Sequence, residues 1–437
     1  MIDLSIEFAG IHSPNPFWLA SGPPTNSARQ INEAFEAGFG GAVWKTIGAK
    51  VLNVSNRYAV YKKGDRILGM NNLELISDRP LSVNLKEIQE VKRLWPNRAL
   101  IVSMMEEYDR KKWEELAQKI EGSGADGIEL NFGCPHGMPE RGTGSKIGQD
   151  PARCAEVTSW VRRVTSLPLI VKLTPNVTDI SCIARAAIAG GASALSLINT
   201  LESILGVDID TFEVLPSIAG KSSHSGYSGE AIKPIALNLT AKVASMEEVQ
   251  KKGLAISAMG GISSWRDGVE FLLLGATSLQ LCTSVMLKGF RIAEDLLSGL
   301  KNWMRSKGFR SIAEFRGKSL SHLVPFSKLD PLFKEVAKIN PQKCIRCLLC
   351  YVGCRDSAYQ CIEVDNKLDL FSNPVNYPHV READCVGCSL CRHLCPVDSC
   401  IEMIPAQAEE NRPAGEKIPT KEELAGEGLG MGKEGRR

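Results

Sequence analysis

Eight near-continuous apolar runs recur along the first three-quarters of the chain: Phe17–Ala20, Ala42–Thr46, Ala99–Met104, Gly127–Asn131, Leu169–Leu173, Ala194–Asn199, Leu254–Ala258 and Ser278–Leu281. Runs without polar alternation are what parallel strands buried on both faces require. Amphipathic stretches of helical period fall between most of them, such as Trp113–Ser123, Ala152–Thr165, Ile180–Ala189 and Trp265–Leu274. Eight strand–helix repeats within residues 1–312 predict an α/β fold of the (β/α)8 TIM-barrel type. A doubly wound sheet would use the same alternation and is the competing arrangement. After the barrel the pattern changes. Residues 313–334 read as a connector, residues 335–405 as a small α+β module rich in cysteine, and residues 406–437, rich in Glu, Lys and Gly, as a disordered tail.

Cysteine placement changes the picture most. Ten of the fourteen cysteines lie between Cys344 and Cys400. Cys344, Cys347, Cys350 and Cys354 form C-x2-C-x2-C-x3-C, and Cys385, Cys388, Cys391 and Cys395 repeat it, followed by Pro396. This is the ligand pattern of two [4Fe–4S] clusters, in which the fourth cysteine of each run serves the other cube. One cluster is therefore assigned to Cys344, Cys347, Cys350 and Cys395, the other to Cys385, Cys388, Cys391 and Cys354. Structural zinc uses ligand pairs separated by a dozen or more residues and fits this spacing poorly. Arg355 stands where the pattern usually has proline. Cys361 and Cys400 fall outside the pattern and read as buried packing, as do Cys154 and Cys182 on their helices.

Composition adds limits. A formal net charge of +2 with interspersed signs offers no basis for nucleic-acid or membrane-surface binding. The first residues carry no basic, apolar leader, and Phe271–Leu287 is broken by polar residues and glycine, so a soluble, cytoplasmic protein is expected. No G-x-G-x-x-G lies between a strand and a helix, so the electrons of a redox chain would come from another subunit that holds the nicotinamide.

The C-terminal ends of barrel strands are where such folds place chemistry. There the chain sets Ser21-Gly22, Lys45-Thr46, Asn131 through Gly137, Lys172 through Asn176, Asn199-Thr200, Gly260-Gly261 and Cys282-Thr283. Glycines after strand seven and small polar residues after strand eight suit a phosphate. Lys45 and Lys172 would be costly if buried alone, which calls for an anionic partner. Flavin mononucleotide meets both demands and converts one-electron into hydride chemistry.

At this point a resemblance becomes specific. Asn131-Phe-Gly-Cys-Pro-His-Gly137, Glu140-Arg-Gly142, Gly148-Gln-Asp150-Pro, Lys172 through Asp179, and Ser228-Gly229 with Ala231 through Leu237 resemble the dihydropyrimidine dehydrogenase family, in particular its separate bacterial catalytic subunit. The resemblance covers residues 1 to about 405. It implies a dihydroorotate-dehydrogenase-like barrel, flavin mononucleotide, two [4Fe–4S] clusters, and reduction of uracil or thymine at the 5,6 bond. It further implies a hetero-oligomer with an NAD(H)- and FAD-containing flavoprotein subunit. Cys134 matches the acid that protonates C5, and His136 a loop-shaping residue. Asn72, Glu74, Asn131, Asn199 and Thr200 match pyrimidine-binding positions. Ser21, Lys45, Thr46, Lys172, Gly229, Gly261, Cys282 and Thr283 match positions around the flavin, and Gly260 joins them from its place on the rim. Gly133 replaces a serine of the large animal form, so a backbone contact is expected there. A dihydroorotate dehydrogenase and a ferredoxin-like electron carrier are the alternatives.

Overall fold

The computed structural model describes residues 2–135, 138–357, 359–368 and 374–406. His136, Gly137 and the tail from Gln407 onward lie outside the described residues, and with them the expectations placed there. The chain divides into two units, Met1–Leu323 and Val324–Arg437.

The first unit is a closed barrel of eight parallel strands: β1 Phe17–Leu19, β2 Gly41–Gly48, β3 Ala99–Met105, β4 Gly127–Asn131, β5 Leu169–Lys172, β6 Ala194–Leu197, β7 Ala255–Met259 and β8 Ser278–Leu281. Each strand pairs with its neighbours in sequence, and β8 closes onto β1 through Leu279 opposite Phe17. All eight expected runs are strands, with ends shifted by at most two residues. Eight main helices surround them: α1 Ala28–Glu36, α2 Leu81–Leu94, α3 Arg110–Glu121, α4 Pro151–Arg162, α5 Ile180–Ala189, α6 Lys233–Ala244, α7 Trp265–Leu273 and α8 Ile292–Lys307.

Local chemistry starts these helices sharply. The side chains of Ser27, Asp109, Asp150, Asp179 and Ser264 each accept a backbone N–H of the following first turn. Such a cap is worth about 1 kcal/mol. The buried stripe of α3, Trp113, Leu116, Ala117 and Ile120, faces the barrel wall. Cys154 is buried on α4, and burial pushes its thiol up to about 12. Cys182 departs from expectation: it is exposed at the start of α5, with Sγ 3.3 Å from Asp179 Oδ2.

A hairpin of Ile6–Phe8 and Ile11–Ser13 covers the N-terminal end of the barrel. Phe8 meets Trp18 edge-on at 5.1 Å, and Trp18 Nε1 donates to Ser13 Oγ at 2.9 Å. Residues 313–323, read as connector, pack with the barrel instead. Phe315 is fully buried against Trp303 and Phe309, and Leu320 joins the same core.

At the opposite end lies a four-stranded antiparallel sheet that the sequence pattern did not announce. Tyr58–Lys63 pairs with Arg66–Asn72, which pairs with Ser225–Ser228, which pairs with Leu201–Ser203. The first two strands leave the barrel after β2, the other two after β6.

The second unit pairs Glu335–Ile339 with Ile401–Pro405 and Ile362–Leu368 with Pro374–Val380, both antiparallel. Two short helices, Leu349–Arg355 and Leu390–Leu394, carry the third cysteine of each run. The two cysteine loops repeat in backbone as well as in spacing: Arg346 and Leu348 have positive φ, and so do Gly387 and Ser389 at the same offsets.

Candidate active site

All fifteen residues singled out around the barrel mouth line one cavity at the C-terminal ends of the strands: Ser21, Lys45, Thr46, Asn72, Glu74, Asn131, Cys134, Lys172, Asn199, Thr200, Gly229, Gly260, Gly261, Cys282 and Thr283. The barrel supplies most of them directly. A register shift in β2 between Trp44 and Ile47 breaks the strict alternation, so consecutive Lys45 and Thr46 both reach the cavity. Asn72, Glu74, Thr200 and Gly229 sit instead on or just beyond the ends of the antiparallel sheet. Asn72 is fixed there by register, opposite both Tyr58 and Gly226, and its Nδ2 donates to Gly226 O at 2.9 Å.

The asparagines form a relay. Asn199 Nδ2 donates to Asn131 Oδ1 at 3.0 Å, Asn131 Nδ2 donates to Thr46 Oγ1 at 3.0 Å, and Thr46 Oγ1 meets Ser103 Oγ at 2.9 Å. The N–H of Gly133 also donates to Asn131 Oδ1, at 3.2 Å. Here the glycine is required by space: a Cβ at 133 would lie 2.5 Å from the Asn199 side chain. The backbone contact expected at Gly133 is therefore present, and the missing side chain makes room for the asparagine pair.

Cys134 follows this relay, clustered with Val51, Ile76, Met105 and Met138, and is only 8% exposed. Its carbonyl accepts the N–H of Ser145 at 3.1 Å, which ties the loop down.

The two lysines are not alone. Lys45 Nζ pairs with Glu74, whose carboxylate also takes Arg57 and, at 2.7 Å, Tyr58 Oη. Burial raises the Glu74 carboxyl, but Lys45, Tyr58 and Arg57 together outweigh it and hold it below its ordinary range. Lys172 Nζ lies 3.8 Å from Glu129, which is fully buried. The anionic partners that buried lysines demand are thus carboxylates of the chain itself, so the lysines alone no longer argue for an anionic ligand. Sequence reading missed Glu129 and Tyr58. Glu129 had a signal: it is a charged residue in an apolar run, two positions before Asn131 and so on the same face of its strand.

The opposite side of the cavity suits a phosphate. Gly229, Gly260 and Gly261 all have positive φ, which keeps backbone free of side chains there. Thr283 Oγ1 donates to Ser228 Oγ at 2.9 Å. Ser284 Oγ and Gln280 Oε1, both buried among cavity-lining residues, have no hydrogen-bond partner among the described residues. Burial pushes the Cys282 thiol up to about 11 even though Lys172 and Lys45 pull it down. A glycine cradle and orphaned polar atoms fit a flavin with a single phosphate.

The cysteine module sorts its ligands as the spacing requires. Cys344, Cys347, Cys350 and Cys395 line one cavity, and Cys354, Cys385, Cys388 and Cys391 line another. Among the described residues no three His, Cys, Asp or Glu side chains converge to hold a single metal ion. Thiolates set around a cavity, not around a point, suit a cube. Cys400 joins the first cavity and Cys361 the second, with Cys361 Sγ 3.5 Å from Cys354 Sγ. Arg355 has a physical reason: the helix runs one residue past Cys354, and its last residue pairs with Asp356 and stacks 5.3 Å from Tyr351. After Cys395 the chain is extended, so Pro396 is accommodated.

A polar, lysine-bearing cavity on a barrel rim, in one chain with two cysteine-lined cavities, defines a redox barrel carrying a ferredoxin-type module. The Dihydroorotate dehydrogenase family matches residues 3–304, and the 4Fe-4S dicluster domain matches residues 337–403. The chain is 41% identical over 403 residues to the NAD-dependent dihydropyrimidine dehydrogenase subunit PreA of Escherichia coli K12, covering 92% of this chain and 95% of that one. It is 39% identical over 346 residues to the chloroplastic dihydropyrimidine dehydrogenase (NADP(+)) of Arabidopsis thaliana, covering 77% and 81%. It is 36% identical over 317 residues to the catalytic subunit of dihydroorotate dehydrogenase B (NAD(+)) of Pyrococcus horikoshii, covering 72% and 98%. A crystal structure of dihydroorotate dehydrogenase from Eimeria tenella superposes with TM-score 0.58 at 20% identity, over 74% of this chain and 89% of that one, which speaks for the fold. The chain belongs to the dihydroorotate dehydrogenase family of barrels and, within it, to the oxidoreductases named dihydropyrimidine dehydrogenase. Among the described residues no helix is long and apolar enough to cross a membrane.

Proposed function

We propose that the chain is the catalytic subunit of an NAD-dependent dihydropyrimidine dehydrogenase that reduces uracil or thymine reversibly at the 5,6 bond. The observation that carries this reading is the single cavity in which the asparagine relay, Cys134 and the glycine cradle meet. Flavin mononucleotide, when bound, would supply hydride chemistry at C6 and one-electron exchange with two [4Fe–4S] clusters. Ser21, Lys45, Thr46, Lys172, Gly229, Gly260, Gly261, Cys282 and Thr283 hold it. Asn72, Asn131, Asn199 and Thr200 meet the pyrimidine edge, whose carbonyls and N–H groups need both donors and acceptors. Glu74 shapes that wall by fixing Lys45 and Tyr58. Cys134 holds the proton delivered to C5, and its apolar surroundings keep water from competing for that step.

The electrons enter from a partner chain that binds NAD(H) and FAD. Two features support a hetero-oligomer: the lack of a strand–glycine–helix dinucleotide fingerprint in the sequence, and the word subunit in the name of the Escherichia coli relative.

Anaerobic purification tests the reading. The chain alone should release flavin mononucleotide on acid extraction, contain iron and sulfide, and reduce uracil with a one-electron donor such as reduced methyl viologen but not with NADH. Dihydroorotate oxidation without uracil reduction would favour the dihydroorotate dehydrogenase alternative, for which the Pyrococcus likeness speaks. Clusters without flavin would favour an electron carrier.

A further inference from the structure

Below the cavity the barrel interior is unexpectedly polar. Glu129 on β4 is fully buried and does not line the cavity itself. Its Oε2 accepts from Ser196 Oγ on β6 at 2.9 Å and from Gln280 Nε2 on β8 at 3.3 Å. Gln280 Nε2 also donates to Ser257 Oγ on β7 at 2.9 Å, and Ser257 Oγ is 2.7 Å from Ser278 Oγ on β8. The other carboxylate oxygen, Oε1, has no hydrogen bond among the described residues, and it faces the ammonium of Lys172 on β5, 3.8 Å away. Five consecutive strands thus build one network around a single carboxylate, and only Lys172 and Gln280 carry it upward to the cavity wall.

A buried carboxylate is expensive, and a packed barrel interior has no need of one. We propose that Glu129 is a positioning residue that sets how much positive charge Lys172 presents to the flavin ring. The inference rests on the flavin reading above. With Glu129 ionised, the lysine and carboxylate form a nearly neutral pair, and the ring meets a dipole. Without that charge the ring meets a full ammonium in a setting of low dielectric, which favours every electron-rich form of the flavin. The carboxylate therefore keeps the flavin from becoming too strong an electron sink, so that electrons pass on to the pyrimidine.

The test uses the full chain with its clusters. Glu129→Gln keeps shape and most hydrogen bonds but removes the charge. It should bind sulfite at the flavin at least tenfold more tightly, matching a rise of about 30 mV in the two-electron flavin midpoint potential. Glu129→Asp keeps the charge and should stay within about twofold of the parent in sulfite affinity. A Glu129→Gln protein with full flavin content and unchanged sulfite affinity overturns the proposal. So does a Glu129→Asp protein that behaves as Glu129→Gln does, including by failing to hold flavin, since that outcome marks a packing role. A parent chain without flavin would instead remove the reading on which the inference rests.

Discussion

At the scale of single residues, the site depends on small differences in what surrounds similar groups. Cys134 and Cys282 line the same cavity, yet Cys282 lies across from two lysines and Cys134 in an apolar nook. Only Cys134 follows the asparagine relay. Cys134→Ala should therefore keep its flavin and lose turnover by about 10²–10⁴, the usual worth of a positioned acid. Steady-state uracil reduction beside flavin absorbance measures both, and wild-type turnover would remove Cys134 from the mechanism. Glu106, just past the end of β3, makes a stability prediction instead. Burial pushes its carboxyl up to about 7, with Lys112 opposing and Glu107 adding. Between its ordinary value and about 7 the folded chain holds a proton that the unfolded chain has released, so stability falls as pH rises through that window. Glu106→Gln should gain about 1 kcal/mol over the parent at pH 8, after discounting for partial solvent exposure, and nothing at pH 4. Urea midpoints at the two pH values decide it.

At the scale of elements, legibility followed burial. The barrel strands could be read because both faces are covered, so Gly127–Asn131 and Ser278–Leu281 coincide with strands residue for residue. The sheet over the mouth could not. Tyr58–Lys63 is mostly exposed, so its apolar Tyr-Ala-Val-Tyr run marks no core, and Ser225–Ser228 holds a glycine and two serines. Tyr58–Lys63 and Arg66–Asn72 form a local hairpin, but it joins Ser225–Ser228 across 154 residues, Asn72 opposite Gly226, which no local pattern reveals. Thr200 was legible from its place at a strand end, and Asn72, Glu74 and Gly229 through family resemblance, while their supports, Tyr58 and Gly226, were not. Glu129 was visible as a misplaced charge, but its partners needed the closed barrel to be seen. The sheet has few buried apolar contacts and should owe much of its order to what it encloses. Flavin binding should slow amide hydrogen exchange in Arg66–Asn72 and Ser225–Ser228 at least fivefold and leave β4 unchanged. Equal protection with and without flavin would contradict that.

At the scale of the whole molecule, the barrel and the cysteine module are separate units, which on the proposed reading divides two-electron work from one-electron relay. Removing iron anaerobically should leave the barrel's flavin content near its starting value while cutting viologen-driven uracil reduction at least tenfold. Loss of flavin in step with iron would mean that the two units do not stand independently. The covered end of the barrel has a further consequence. Phe8 and Ser13 pack on Trp18 and Ile11 packs on Gly127, so among the described residues the base of the barrel is capped. On the proposed reading, flavin and pyrimidine would both enter and leave by the rim cavity, so that whichever is seated second bars the exit of the first.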